Sequence, residues 1–489
     1  MSSPNHIRTY FTYVVLLCLA LGFLSCISAH NTTSHRRLAP RDSFTTFSNP
    51  DNNEGEDHKN LEAPNGARIK DFPIGDGGEQ IPVFWSDPLT DQKAEATHAF
   101  IVIHGRLRDG ANYWTIMNDA LQSAVDEEYP GADRKSFIVA PQFFSEKYNK
   151  GQYSSNELAF ADVNAWQAGD TATHPSGTNI TSMDALDALI IAFSNKTEYP
   201  SLTNITLVGH GGGGQLTARY AAVGADAPEG VHLRYIVGDP STNAYFTQDR
   251  PMRDDSGDPS CEFWDTWRYG YKNFNGTRTG GNKSPFQYFS QYISRDIVLL
   301  VALNDTSPDN GDQYCPAQMQ GGSARRDRNL AWWTYINTLA RTKEPVQMLQ
   351  QTFNNSPAFV GLPNWSNVTK KTEDGEGVIV GPRLIVVEDA SHDAAEVLGG
   401  MEGRAALFSS KSEDMPVGWR PSGWNETESD CSMCDESKEN LGTETGGDDS
   451  GGDGSGNGDG NGELGRSASI TMSLVGVVLL AEVMLHSFV

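Results

Sequence analysis

Short β-branched and aliphatic runs alternate with stretches whose apolar residues recur every three or four positions, from about residue 67 to residue 408. Ala67–Ile74 and Glu79–Trp85 flank Gly75-Asp76-Gly77-Gly78, the pattern of a β-hairpin. His98–His104 then reads as a strand, Tyr113–Asp126 as a helix and Ser136–Pro141 as a strand. Ser182–Ser194 carries Met183, Leu186, Leu189, Ile190 and Phe193 on one face and predicts an amphipathic helix. Asn204–Val208 predicts a buried strand, followed by a helix over Gln215–Ala221. His232–Val237, Ile297–Leu303 and Arg383–Val387 complete the strands. This alternation predicts an α/β fold with a mostly parallel central sheet.

One stretch breaks the alternation. Phe263, Trp264, Trp267, Tyr269, Tyr271, Phe274, Phe286, Tyr288, Phe289 and Tyr292 crowd into an insertion at about 245–295. Two readings stand: a cap whose rings cover a pocket, or a small subdomain with its own core. Trp332, Trp333, Tyr335 and Ile336 fit a buried helix face.

The flanks differ in kind from this 63–408 core. Residues 1–29 have a polar start, an apolar run from Val14 to Leu24 and small residues Ser28 and Ala29, as expected of a secretory signal peptide. Residues 30–62 are polar and read as disordered. Residues 409–465 form an acidic Gly/Asp/Ser-rich stalk, and 466–489 a hydrophobic tail with no basic flank after it. Small residues, a polar spacer and such a tail are the pattern of a GPI-attachment signal. The expected location is therefore the secretory pathway, ending at the outer face of the plasma membrane or the cell wall.

Composition narrows the partners. A net charge of −26 argues against nucleic acid, whose affinity rests on cationic side chains neutralising phosphates. A small molecule, lipid or glycan remains as ligand, and oligomeric state is not legible. Cys18 and Cys26 leave with the signal peptide, so Cys261, Cys315, Cys431 and Cys434 remain. An oxidising compartment pairs them in one of three connectivities, of which Cys261–Cys315 with Cys431–Cys434 is the favoured one. Sequons are dense, so glycosylation is expected at Asn179, Asn195, Asn204, Asn275, Asn282, Asn354, Asn364 and Asn367. No cofactor loop or metal-ligand spacing is evident.

Three separated segments carry the candidate chemistry. Ile101-Val102-Ile103-His104-Gly105-Arg106 runs from a strand into His-Gly. Asn204–Val208 runs into Gly209-His210-Gly211-Gly212-Gly213. Leu384–Val387 leads through a short loop to His392. In this order the chain resembles the secreted serine esterases and lipases of the α/β-hydrolase superfamily, over about residues 67 to 408. The resemblance implies backbone oxyanion donors at Arg106 and Gly212 and a general base at His392. It also implies an orienting acid at Asp305, after the strand Ile297–Leu303, with Asp239 as the runner-up. It implies structural parts for His104 and His210.

The departure is at Gly211, where the resemblance places the nucleophilic serine. Without an attacking hydroxyl the triad cannot form an acyl-enzyme. The leading expectation is a non-catalytic pseudohydrolase that binds a ligand or partner. The alternatives are a hydrolase using His392–Asp305 as a general base on water, an enzyme with a displaced nucleophile such as Ser241, and a structural surface glycoprotein.

Overall fold

The computed structural model describes residues 57–87, 92–162, 164–252, 259–342, 359, 361–368, 370–371 and 378–408. The expected signal peptide, stalk and GPI signal lie outside these residues, as do Asn354, Cys431, Cys434 and most of the 30–62 segment. Among the described residues no helix is long and apolar enough to cross a membrane.

Eight strands form one sheet: β1 (Ala67–Ile74), β2 (Glu79–Ser86), β3 (His98–Ile103), β4 (Phe137–Pro141), β5 (Asn204–His210), β6 (His232–Gly238), β7 (Asp296–Ala302) and β8 (Arg383–Val387). Their spatial order is β1-β2-β4-β3-β5-β6-β7-β8. Only β2 runs against its neighbours, pairing antiparallel with both β1 and β4. The remaining pairings are parallel. β3, β4 and β7 are buried at every position, which explains why they read as unbroken apolar runs rather than alternating ones. This is the α/β-hydrolase fold.

Helices cover both faces: α1 (Gly110–Asp126), α2 (Ser182–Ser194), α3 (Gly212–Val223), α4 (Pro285–Ser294), α5 (Arg325–Ala340), α6 (Ala394–Gly399) and α7 (Met401–Phe408). One apolar core gathers Leu186, Leu189 and Phe193 of α2 with Trp332, Trp333 and Ile336 of α5. The other gathers Trp114, Met117 and Leu121 of α1 with Leu407 and Phe408 of α7. A reciprocal capping box, Thr181 with Asp184, starts α2 where the sequence places it.

The aromatic-rich insertion is present, and six of its rings are buried while Phe263, Trp264, Phe274 and Phe286 are half-buried. Tyr271, Tyr288, Phe289 and Tyr292 are buried in the first core, with Phe246 stacked on Tyr271 at 5.3 Å. Burial in the core shared with the sheet, neither a ligand surface nor a separate subdomain core, accounts for the aromatic density. The Cys261–Cys315 disulfide ties its start to the loop before α5.

α3 begins at Gly212, three residues earlier than the glycine run predicts. Glycine disfavours helix by propensity. Packing reverses that preference here, because a Cβ on Gly213 would overlap the carbonyl of Ile103 in β3. Only glycine lets the first turn of α3 cross the sheet this closely.

Candidate functional site

The strand order reverses around β3, which lies between β4 and β5. A crevice opens outside the carboxyl ends of the strands at such a switch point. The loop after β3 supplies His104, Gly105 and Arg106, and the turn after β5 supplies Gly211. The ends of β6, β7 and β8 supply Asp239, Asp305 and His392. An open cavity of about 960 Å³ lies here, with Arg106, Gly211, Gly212 and His392 in its wall. None of the insertion's aromatic rings lines it.

The β5–α3 turn has the geometry of a nucleophile elbow. Gly211 sits at φ 57°, ψ −112°, a region that strains any residue with a side chain. A Cβ built there would point at His392, 3.0 Å from Nε2 and 3.4 Å from Cε1. The elbow therefore aims position 211 at the imidazole, and the side chain it would present is absent.

His392 Nδ1 donates to Asp305 Oδ2 at 2.9 Å. Asp305 is buried and is gripped from its other side by Arg325, whose Nε and Nη2 donate to both carboxylate oxygens at 2.8 and 2.7 Å. Burial pushes the Asp305 carboxyl up, but the hydrogen bonds and charges of His392 and Arg325 outweigh it and hold the group well below the usual carboxylate range. Burial, with His210 and Arg325 nearby, pushes His392 down to about 4 against the opposing pull of Asp305. The imidazole is thus neutral at neutral pH, with Nδ1 protonated and Nε2 carrying a lone pair towards the cavity.

The proposed oxyanion donors lie side by side. Gly212 opens α3, so no carbonyl within the helix can accept its amide. A Cβ on Gly212 would stand 3.2 Å from the amide nitrogen of Arg106 and 2.8 Å from Gln167 Nε2. His104 fixes the loop that carries Arg106. Its Nδ1 donates to the Gly105 carbonyl at 2.9 Å, and its Nε2 accepts the Phe143 amide at 3.0 Å. Burial drives His104 down to about 3, so it is a neutral strut.

The structure brings together His392, Asp305, Gly211, Arg106 and Gly212. It places Asp239 beside His210 rather than beside His392 Nδ1, at 3.4 Å between Oδ2 and Nε2. Ser241 lines the cavity, yet among the described residues no hydroxyl or thiol is hydrogen-bonded to His392. Asn179, Asn195, Asn275, Asn282, Asn364 and Asn367 are exposed, and Asn204 is half-buried.

Four participants escaped the sequence reading: Arg325, Gln167, Gln215 and Tyr113. Gln215 Nε2 donates to Gln167 Oε1 at 2.9 Å and orients the amide that faces Gly212. No local pattern marks either glutamine. Arg325 did leave a signal, since Arg325, Arg326 and Arg328 load cations onto the first turn of α5. That placement opposes the helix dipole and calls for buried anionic partners.

No protein-family model matches the chain, and no curated protein matches it. Among solved structures it is similar to LpqC, a poly(3-hydroxybutyrate) depolymerase from Bordetella parapertussis, at 17% identity and a TM-score of 0.43, covering 73% of this chain and 93% of that one. It is also similar to the siderophore hydrolase EstB from Aspergillus nidulans, at 14% identity and a TM-score of 0.34, covering 74% and 99%. An IroE-like serine hydrolase from Shewanella oneidensis is similar at 14% identity and a TM-score of 0.35, covering 70% and 80%. Strand order and elbow geometry, rather than these distant likenesses, carry the assignment. The fold and the site together define an α/β-hydrolase-like protein. In this one His392, hydrogen-bonded to Asp305, faces a glycine at the elbow.

Proposed function

We propose that this chain is a cell-surface pseudohydrolase, tethered by a GPI anchor, whose hydrolase pocket binds a polar small molecule, lipid or glycan group without acyl transfer. One observation carries the reading. His392 Nε2 reaches to 3.0 Å from the place of a side chain that Gly211 lacks. The proton acceptor is therefore in position and the atom that would attack is missing. The pocket argues for binding, because an open cavity of about 960 Å³ floored by an imidazole and amide donors is more than a structural glycoprotein requires. The acidic stalk and hydrophobic tail support surface tethering.

The test is hydrolysis of a panel of short- and long-chain acyl esters by the purified protein, together with labelling by a fluorophosphonate probe. Silence in both assays is the expected result. Turnover that disappears in His392→Ala would overturn the pseudohydrolase reading in favour of water activation by the His392–Asp305 pair. Probe labelling mapped to Ser241 would overturn it in favour of a displaced nucleophile.

A further inference from the structure

His210 and Asp239 hold polar atoms that the hydrolase scheme leaves unused. Both side chains are more than nine-tenths buried. His210 Nε2 and Asp239 Oδ2 are 3.4 Å apart and neither has a hydrogen-bond partner. An orphaned pair of this kind is costly unless something satisfies both atoms. His392 completes a cluster with them: one ligand atom from each of the three residues lies within 4.8 Å of the others. The two imidazole rings lie with centroids 4.5 Å apart and planes tilted by 35°.

We infer that His210, Asp239 and His392 form a binding site for a divalent transition-metal ion at the floor of the cavity. Zinc takes imidazole nitrogen and carboxylate oxygen at ~2.0–2.2 Å, which sets neighbouring ligand atoms of a tetrahedron ~3.4 Å apart. The His210–Asp239 separation already has that value. His392, 29% exposed, is less buried than the other two and is the ligand with room to close the remaining gap within the 4.8 Å cluster.

Each ligand is held as metal chemistry needs. Asp305 accepts the hydrogen bond from His392 Nδ1–H, which leaves the Nε2 lone pair free to ligate and makes a carboxylate–histidine–metal relay. Tyr113 Oη lies 3.5 Å from His210 Nδ1, and when it accepts from that nitrogen Nε2 is left unprotonated. Asp239 Oδ1 is occupied by the amide of Ala302 at 2.9 Å, so Oδ2 alone turns to His210. Asp239 adopts φ 41° to do this, a conformation that costs free energy and needs a reason.

Gly211 then has a second meaning. Any side chain at position 211 would run into the Nε2 that the ion requires. The glycine clears the coordination sphere, and the positions left open face the cavity, where water or an anionic oxygen of a ligand could complete them. Two imidazoles and one carboxylate suit zinc, iron(II) or cobalt(II) rather than magnesium or calcium. This inference goes beyond the pseudohydrolase reading and stands apart from it, because its readout is the ion itself.

The experiment strips the untagged protein with chelator and titrates it with Zn²⁺ by calorimetry and with Co²⁺ by visible absorption. One ion per chain is expected, with the absorption bands of a low-coordinate cobalt site. Asp239→Asn keeps the size of the side chain and is expected to weaken zinc binding at least ~10-fold, with circular dichroism confirming the fold. Gly211→Ser tests the site from the opposite side, independently of Asp239, and is also expected to weaken it. No stoichiometric ion in the parent protein overturns the inference. So does binding that neither substitution changes, which would place the ion elsewhere.

Discussion

Restoring a hydroxyl at position 211 puts the whole reading at risk in one step. Gly211→Ser adds a Cβ that meets His392 Nε2 at 3.0 Å, closer than an ordinary contact. The imidazole must therefore retreat by a few tenths of an ångström, and a side chain with 29% exposure has room to do so. The backbone at φ 57°, ψ −112° accepts glycine freely, but serine at a cost of about 1–3 kcal/mol. Over roughly 320 described residues the unfolding entropy is ~0.7 kcal/mol/K, so the melting temperature should fall by ~1–4 °C. Activity should move the other way. In a working triad the serine is worth ~10⁶ in turnover, with ~10³–10⁴ over water remaining without it. A site with its base, acid and amide donors in place should recover part of that, at least ~100-fold over the parent on a p-nitrophenyl acyl ester. Fluorophosphonate labelling should map to position 211, and His392→Ala in the same background should abolish both. A folded variant with the modest melting shift and no labelling would refute the claim that elbow, base and amides form a latent hydrolase site.

Other substitutions test the supports. Arg325→Met leaves the buried Asp305 carboxylate without its fork and should cost about 3–5 kcal/mol in urea unfolding; a loss below ~1 kcal/mol would contradict the grip described. Asp305 has a depressed carboxyl pKa in the fold, so its stabilisation is full above its ordinary value near 4 and is lost as pH falls through the lower folded value. Between pH 4 and pH 2 the unfolding free energy of Asp305→Asn should therefore fall less steeply than that of the parent, and parallel curves would exclude that linkage. Replacing both Cys261 and Cys315 by serine opens a loop with a sequence separation of 54 and should cost up to ~4 kcal/mol, read as a lower melting temperature that reductant no longer alters.

Strand existence was legible because buried parallel strands write themselves as unbroken apolar runs, and β3, β5 and β7 did so. The end of each strand was less so. The sequence reading starts α3 at Gln215 because Gly212, Gly213 and Gly214 look like a turn, whereas close packing on β3 makes them the first turn of the helix. His392 and Asp305 could be read from chain order, since each follows a strand at the point where that order places it. Asp239 could be singled out but not given its neighbour. Its approach to His210 depends on the parallel register that sets His210 opposite Gly238, and pairing between adjacent strands leaves no mark in local sequence. The aromatic insertion misdirected for a similar reason, because composition records how much ring area must be buried and says nothing about which side receives it.

The placement of the sheet's last strand has a kinetic consequence. Apart from the β1–β2 hairpin, each pairing joins distant segments, as when His98–Ile103 lies along Asn204–Gly209. Non-local pairing of this kind makes for slow folding. β8 is the outermost strand and docks on β7 alone, and His392 follows it in the chain. The cavity floor is therefore complete only once β8 has docked on β7. Whatever binds that floor recognises the finished sheet and no precursor of it, adding ~2.7 kcal/mol of stability at a hundred times its dissociation constant. Occupancy of the site would thus report completed folding.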